Sequence, residues 1–279
     1  MEYTLESMFG LRDRVIVITG GSGGIGSGLA EALLKLGAKV ALIASGREKL
    51  IATADRLRES TGGDVRAYSA NITNAAEVEE TFAAVYKDFG SIYGLINSAG
   101  TSHVRFLSEM DIDDWQRVMD VNVRGTVLCT KAAGRYMIEA GVGRVINMSS
   151  LAATHGKPQY TAYTPSKGAV DAFTFTLATE WAHLGVTVNC VRPVFMLTDI
   201  NRVQYAGRLE EAVARAEARN PQGRCCSPEL LAGLTIFLLS ESASYVNGQM
   251  IGCDGGSTNG DIQNYKPQER HEVHYGGVL

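Results

Sequence analysis

Short apolar runs recur along the chain, separated by longer stretches in which apolar and polar positions alternate at helical spacing. Residues 15–18 (Val-Ile-Val-Ile) and 40–43 (Val-Ala-Leu-Ile) are apolar without alternation and lie between turn formers, the pattern of strands buried on both faces. Between them a glycine cluster opens a helical pattern over 27–36, which Gly37 closes as a C-cap. The alternation continues with helices near 48–59 and 77–88 and strands at 65–70, 93–97, 143–149, 186–191 and 250–253. Long helices are predicted over 115–140 and 164–184. Strands and helices taking turns predict one doubly wound α/β sheet, mostly parallel, with helices on both faces. No repeat or linker divides the chain, so residues 1–279 read as a single domain. An insertion-like stretch at 198–228, with a polar helical pattern over 208–219, reads as a lid over a substrate. The polar stretch 257–279 reads as a C-terminal tail that either packs on a neighbouring subunit or frays.

Composition narrows the function classes. Of 279 residues, 45% are hydrophobic and 20% charged, enough apolar material for a large core. A net charge of −4 gives no electrostatic case for nucleic acid. No apolar run approaches the length needed to cross a membrane, and the first residues lack the basic and apolar segments of a signal peptide. The cysteines, Cys129, Cys190, Cys225, Cys226 and Cys253, are odd in number and lack metal-ligand spacing. They read as buried thiols in a reducing cytoplasm, and no metal is expected.

The chemistry starts at Thr19-Gly20-Gly21-Ser22-Gly23-Gly24-Ile25-Gly26, between the first strand and the first helix. Glycines suit a sharp turn where a pyrophosphate approaches the backbone, and helix N-terminal amides then face its charge. A plain tight turn would also collect glycine. Its position in a βαβ pattern favours a Rossmann-type nucleotide site.

The spacing TGxxxGxG resembles the cofactor motif of the short-chain dehydrogenase/reductase family. Further on, Asn97-Ser98-Ala99-Gly100 resembles that family's NNAG signature. Ser150, Tyr163 and Lys167 match its catalytic Ser and YxxxK, and Asn122 aligns with its fourth catalytic residue. The resemblance runs from about residue 11 to 256. It implies hydride transfer between a nicotinamide cofactor and a carbonyl or secondary alcohol, with Tyr163 as the acid or base and Ser150 polarising the substrate oxygen. Asn122 belongs to the implied proton relay. Tyr163 and Lys167, four apart, share a helix face, so the ammonium is expected to lower the phenol's pKa. It also implies that Lys167 holds the nicotinamide ribose. The cofactor contacts implied are Gly20, Ser22, Gly23, Gly24, Ile25 and Gly26 in the loop, then Asn71, Ile72, Asn97, Ala99 and Gly100. Pro193, Met196 and Thr198, with Tyr163 and Lys167, complete that set.

Two departures stand out. Asn71 replaces the family's usual Asp at the adenine, where its side-chain oxygen is expected still to accept a hydrogen bond. Val194 replaces the usual Gly after Pro193. Cofactor choice is read at the end of the second strand, where NAD-specific relatives carry an acid and this chain has Ala44. Ser45 and Arg47 follow, and an arginine suits a 2′-phosphate, so NADPH is expected in preference to NADH, with NAD possible.

Stretches 180–201 and 244–249 resemble gluconate 5-dehydrogenases and related sugar-acid reductases. A sugar acid needs a cation, and His103 and Arg105 are the candidates, each alternatively a solvated loop charge. His155, Gln159 and Tyr160 fall in the segment that lines the family's substrate side. The leading reading is thus a reductase of small polar ketones such as keto-sugars or sugar acids. The alternatives are a 3-oxoacyl thioester reductase and a non-catalytic dinucleotide sensor or scaffold. The family is commonly dimeric or tetrameric, and a homotetramer is expected.

Overall fold

The computed structural model describes residues 3–198, 201–202 and 205–259. Seven strands form one sheet: β1 (Val15–Thr19), β2 (Lys39–Ala44), β3 (Val65–Ser69), β4 (Gly94–Asn97), β5 (Gly143–Met148), β6 (Val186–Pro193) and β7 (Met250–Cys253). Their order is β3-β2-β1-β4-β5-β6-β7, and every neighbouring pair is parallel. The sheet expected to be mostly parallel is parallel throughout. The order reverses between β1 and β4, which opens a crevice at the carboxyl ends of those strands.

The apolar runs did not alternate because both faces of the sheet are covered. Ile16, Ile18, Val40, Leu42, Ile96 and Ile146 face one core, packed under α2 (Gly24–Lys35), α3 (Arg47–Thr61) and α9 (Pro228–Leu239). Val15, Val17, Ala41, Ile43, Leu95 and Val145 face the other, under α4 (Ala75–Phe89), α6 (Gly125–Ala140) and α7 (Tyr163–Trp181). Successive strand residues thus alternate between two cores, each needing an apolar side chain.

Three elements differ from expectation. Residues 5–9, ahead of the first predicted strand and given no element there, form α1 (Leu5–Phe9), capped by a reciprocal Thr4–Ser7 pair. The helix expected over 115–140 is α5 (Ile112–Met119) and α6, joined by a π-helical turn at Asp120–Arg124 that carries Asn122. Helix α9 was missed. Its sequence Pro-Glu-Leu-Leu-Ala-Gly-Leu-Thr-Ile-Phe-Leu-Leu is apolar almost all round, so it shows no amphipathic period, although Pro at its first position is a start signal. The polar stretch expected to be helical is α8 (Leu209–Arg219). Of the tail, residues 257–259 are described, and 260–279 lie outside the described residues.

Helices α6 and α7 meet closely because Gly134 leaves room for an indole. A Cβ at that position would lie 2.2 Å from Trp181 Cη2. Gly134→Ala is therefore expected to force the ring out of its seat. The cost is about 1–3 kcal/mol of overpacking, read as a lowered Tm in a thermal melt. An unchanged Tm would show that the two helices are free to separate.

Candidate active site

The carboxyl ends of β1, β4, β5 and β6 supply the loops of the crevice. At β1, Gly20 has φ +67°, and a Cβ there would strike the Ala99 backbone at 2.8 Å. Only glycine satisfies both conditions without strain. The turn closes with Gly23 N–H donating to Gly20 O at 2.9 Å, and α2 starts at Gly24 with no side chain capping it. Its leading amides are left for an anion. Ser98 Oγ donates to Thr19 O at 2.6 Å and Ala99 N–H to Thr19 Oγ1 at 3.3 Å, which ties the turn after β4 to the glycine loop. Thr198 reaches the same place: a Cβ on Gly24 would sit 3.7 Å from its Cα. This cradle, closed to side chains and lined by amides, fits a dinucleotide phosphate.

The four residues matched to the catalytic set come together. Tyr163, the first residue of α7, lies beside Ser150, whose hydroxyl acts to lower the phenol's pKa. Lys167 Nζ lies 5.7 Å from the centre of the Tyr163 ring and donates to Met148 O at 2.7 Å. Gly100 borders both Lys167 and Asn122, since a Cβ there would stand 3.6 Å from Lys167 Nζ and 3.3 Å from Asn122 Oδ1. Asn122 Oδ1 accepts from Thr101 N–H at 2.8 Å, and its Nδ2 donates to Thr101 O and to Ser166 Oγ, both at 2.9 Å. Ser166 Oγ in turn donates to Tyr163 O at 2.7 Å.

The electrostatics correct one expectation. Burial pushes the Tyr163 phenol up to about 12, opposed by the Ser150 hydroxyl and assisted by Tyr160. Lys167 does not pull it down, because its ammonium faces the Met148 carbonyl and not the phenol oxygen. Lys167 is itself lowered to about 8 by burial, with Cys190 and Asp171 acting in the other direction. Asp171, one turn further along α7, accepts from Cys190 Sγ at 3.3 Å and from Arg192 Nη2 at 2.7 Å. The sequence reading missed this Asp171–Arg192 pair. Its signal was available: Asp171 is four residues past Lys167, and Arg192 immediately precedes Pro193.

Several implied cofactor contacts are placed differently from expectation. The Asn97 side chain points into the sheet, where Nδ2 donates to Thr130 Oγ1 at 2.8 Å and to Asn147 Oδ1 at 2.9 Å. It is a buried brace and does not face the crevice. Asn71 Oδ1, expected at an adenine amino group, already accepts from Thr73 N–H and Thr73 Oγ1. Both of its lone pairs are engaged in that local turn. Ile72 is buried against Gly125, and the Met196 side chain is buried in the first core, so Met196 offers the crevice only backbone. Ser22 and Ile25 are half-buried in the loop, and Ser45 and Arg47 are exposed at the end of β2. Arg47 borders a groove with Leu50, Tyr68, Ser69 and Thr81 between α3 and α4.

Of the substrate candidates, Tyr160 is nearest the chemistry. Its ring meets that of Tyr163 edge-on at 5.9 Å, and its hydroxyl lies 3.5 Å from that of Tyr205 in the stretch after β6. Lys157, missed in the sequence, donates to Tyr160 at 3.1 Å. Gln159 has φ +71°, and its carbonyl accepts from Arg105 N–H at 3.1 Å. His155 is exposed and pairs locally with Thr154. The two cations expected to meet a carboxylate gather around Asp114. His103 Nε2 lies 3.6 Å from it, Arg117 binds it at 3.0 Å, and these charges, with that of Arg105, hold its carboxyl below the usual range. Arg117 was not anticipated. No described helix is long and apolar enough to cross a membrane.

Comparison with known proteins fits this geometry. The family model described as enoyl-(acyl carrier protein) reductase matches residues 20–258. The 2-(S)-hydroxypropyl-CoM dehydrogenase 3 of Xanthobacter autotrophicus is 38% identical over 251 residues, covering 89% of this chain and 98% of that one. The D-threitol dehydrogenase of Mycolicibacterium smegmatis is 34% identical over 257 residues, covering 92% and 97%. The crystal structure of a gluconate 5-dehydrogenase from Burkholderia cenocepacia, in complex with NADP and tartrate, superposes with a TM-score of 0.85. It is 31% identical and covers 92% of this chain and all of its own.

Proposed function

We propose, because the chain belongs to the short-chain dehydrogenase/reductase family of oxidoreductases, that it interconverts the carbonyl and secondary alcohol of a small polar substrate, in the class of keto-sugars and sugar acids. The observation that carries this reading is the Tyr163 phenol seated against Ser150, with Lys167 and Asn122 both bordering Gly100. The similarity to a gluconate 5-dehydrogenase supports the substrate class. A nicotinamide, when bound, supplies or accepts the hydride. The glycine turn and the uncapped start of α2 would hold its phosphates, and Lys167, Pro193, Met196 backbone and Thr198 its nicotinamide half.

The residues divide the remaining work. A phenol raised to about 12 stays protonated at neutral pH, so Tyr163 holds the proton that a carbonyl oxygen would take up as hydride arrives. Ser150 stands beside it to hydrogen-bond the same oxygen as charge develops. Lys167, anchored on Met148 O, would hold the nicotinamide ribose beside the phenol, and Asn122 fixes the turns on either side through Thr101 and Ser166. The stretch 198–228 serves as the lid, with α8 anchored where buried Asn220 donates to Asp254 O at 2.8 Å. Residues 199–200 and 203–204 of that stretch lie outside the described residues. A cytoplasmic location accords with five free thiols. An acyl-thioester reductase is the second reading, supported by the description of the matching family model. The sensor or scaffold reading leaves the joined catalytic four without a purpose.

Tyr163→Phe keeps the ring and removes the proton. It is expected to lower kcat by roughly a hundredfold or more while leaving dinucleotide affinity within about twofold. Retention of wild-type turnover would remove Tyr163 from the acid role. In the wild type, the reduction rate is expected to hold steady at neutral pH and to fall above about 8, as Lys167 loses its charge. Oxidation, which needs the phenolate, rises with pH over the same interval. A reduction rate unchanged to pH 10 would contradict the role given to Lys167.

NADPH is expected to be preferred over NADH, since Ala44 leaves no acid at the end of β2 and Arg47 is exposed beside it. Comparing kcat/KM for both cofactors tests this. Arg47→Ala should cost NADPH about tenfold, the loss of one charge-assisted contact, and leave NADH unchanged. A wild type that prefers NADH overturns the choice.

Assembly as a homotetramer is the last part of the reading. Phe175 on α7 is 49% exposed on one of the two long helices that the family pairs between subunits. Light scattering at micromolar concentration that gave the monomer mass would refute it.

A further inference from the structure

The stretch 193–198 leaves the sheet at the end of β6 and carries the Pro193, Met196 and Thr198 positions. Both of its ends are laddered to cysteines. Pro193 opposes Cys253 in the β6–β7 register. Met196 forms an isolated parallel bridge with Cys226, whose N–H donates to Phe195 O at 3.4 Å. The two cysteines come from segments twenty-seven residues apart, yet they pack in one core and each thiol acts on the other's ionisation. Both thiols also address the start of α9: Cys226 Sγ lies 3.7 Å from Ser227 O, and Cys253 Sγ lies 3.5 Å from Leu230 O. All five cysteines are free, and the neighbouring Cys225 faces away, toward Val213 O at 4.0 Å.

We propose that Cys226 and Cys253 form a redox-modification site, a dithiol that a peroxide closes to a disulfide, stapling both ends of the 193–198 loop. The Cys226 thiol beside it holds the Cys253 thiol down at about 7, against burial and the neighbouring Asp254. Cys226 is raised by Cys253 and by burial, with the Ser227 backbone and Arg224 opposing. Cys253 is half-buried and Cys226 is 8% exposed, so the more acidic thiol is also the more accessible one. This is the arrangement of an attacking and a resolving cysteine.

The chemistry balances with hydrogen peroxide as oxidant. The Cys253 thiolate attacks one peroxide oxygen, the O–O bond breaks, and the products are a sulfenic acid and hydroxide, which takes up the proton that Cys253 had lost. Cys226 sulfur then attacks the sulfenic sulfur, its proton leaving with the departing hydroxyl as water. Two thiols and one peroxide give one disulfide and two waters. A dithiol reductant reverses the change by exchange. The expected effect on activity rests on the reading of 193–198 as the cofactor loop; formation of the disulfide does not.

The test treats the full chain with hydrogen peroxide and follows intact mass, peptide linkage under non-reducing digestion, and turnover. The expected result is a loss of two hydrogens, a peptide joining Cys226 to Cys253, and a fall in kcat/KM of roughly tenfold, as for a displaced positioning loop, restored by dithiothreitol. Cys226→Ser and Cys253→Ser should keep untreated activity and resist the inhibition, whereas Cys225→Ser should behave as wild type. Phenylarsine oxide, which needs two adjacent thiols, reads the pair without oxidation. One arsenical should bind per chain and be lost in either Cys226→Ser or Cys253→Ser. Oxygen addition without a linked peptide, or arsenical binding that survives both variants, overturns the site. A linked peptide with unchanged turnover overturns the stapling of a cofactor loop and leaves the dithiol standing.

Discussion

A chain of polar side chains buried across the sheet is the constraint on which the site depends. Thr174 accepts from Asn147 at 3.0 Å, Asn147 accepts from Asn97 at 2.9 Å, and Asn97 donates to Thr130 at 2.8 Å. Thr130 then donates to Thr126 O at 2.7 Å, and Thr126 to Asn122 O at 2.8 Å. Every member is buried. A buried polar group left without its partner costs about 1–3 kcal/mol, so the chain tolerates few alternative positions for the helices it joins. It fastens α7 to β5, β5 to β4, and β4 to α6 and the π turn. Tyr163 and Lys167 ride on one end, and Asn122 on the other.

With that frame fixed, burial governs the electrostatics. The same low-polarity surroundings raise Tyr163 and lower Lys167, driving both toward their neutral forms. Asp171 works against that tendency from one turn away and is itself paired with Arg192, which stands at the root of the 193–198 loop. A charge on the catalytic helix is thereby joined to the loop that carries Pro193 and Thr198. Lysine charge and loop position are set together, whereas the phenol is set mainly by its burial and Ser150.

The fold was legible because its signals are local and redundant. Val15–Thr19 and Lys39–Ala44 are apolar on every residue that the two cores need, and the Gly20 turn requires a backbone that only glycine adopts easily. Helix α9 was not legible because it is apolar almost all round and has no polar face to generate a period. The four residues proposed as catalytic were legible as spaced motifs. What the spacing could not show was side-chain direction. Asn97 reads the same whether it faces the crevice or the sheet, and Asn71 reads as an acceptor until Thr73 is seen to occupy both lone pairs. Asp171 and Arg192 sit at informative offsets but belong to different elements, and only the antiparallel packing of α7 on β6 makes them a pair.

The rim of the crevice follows another logic from its floor. Floor residues are held by buried hydrogen bonds to backbone, as Lys167 is to Met148 and Asn122 to Thr101. Rim residues are held by one another: Tyr160 by Lys157 and Tyr205, His103 by Asp114. Contacts between half-exposed side chains are worth little individually, because water and salt compete for them. On the proposed function, a substrate would exchange places with Tyr205 at Tyr160, or with Asp114 at His103, at small cost, while Tyr163 beneath stays fixed. Such a division lets reaction type be invariant and substrate choice adjustable, since the two depend on interactions of different strength. It also explains why the reaction class is plain from the sequence while substrate identity is not: the strong interactions leave motifs, and the weak ones leave only scattered polar residues.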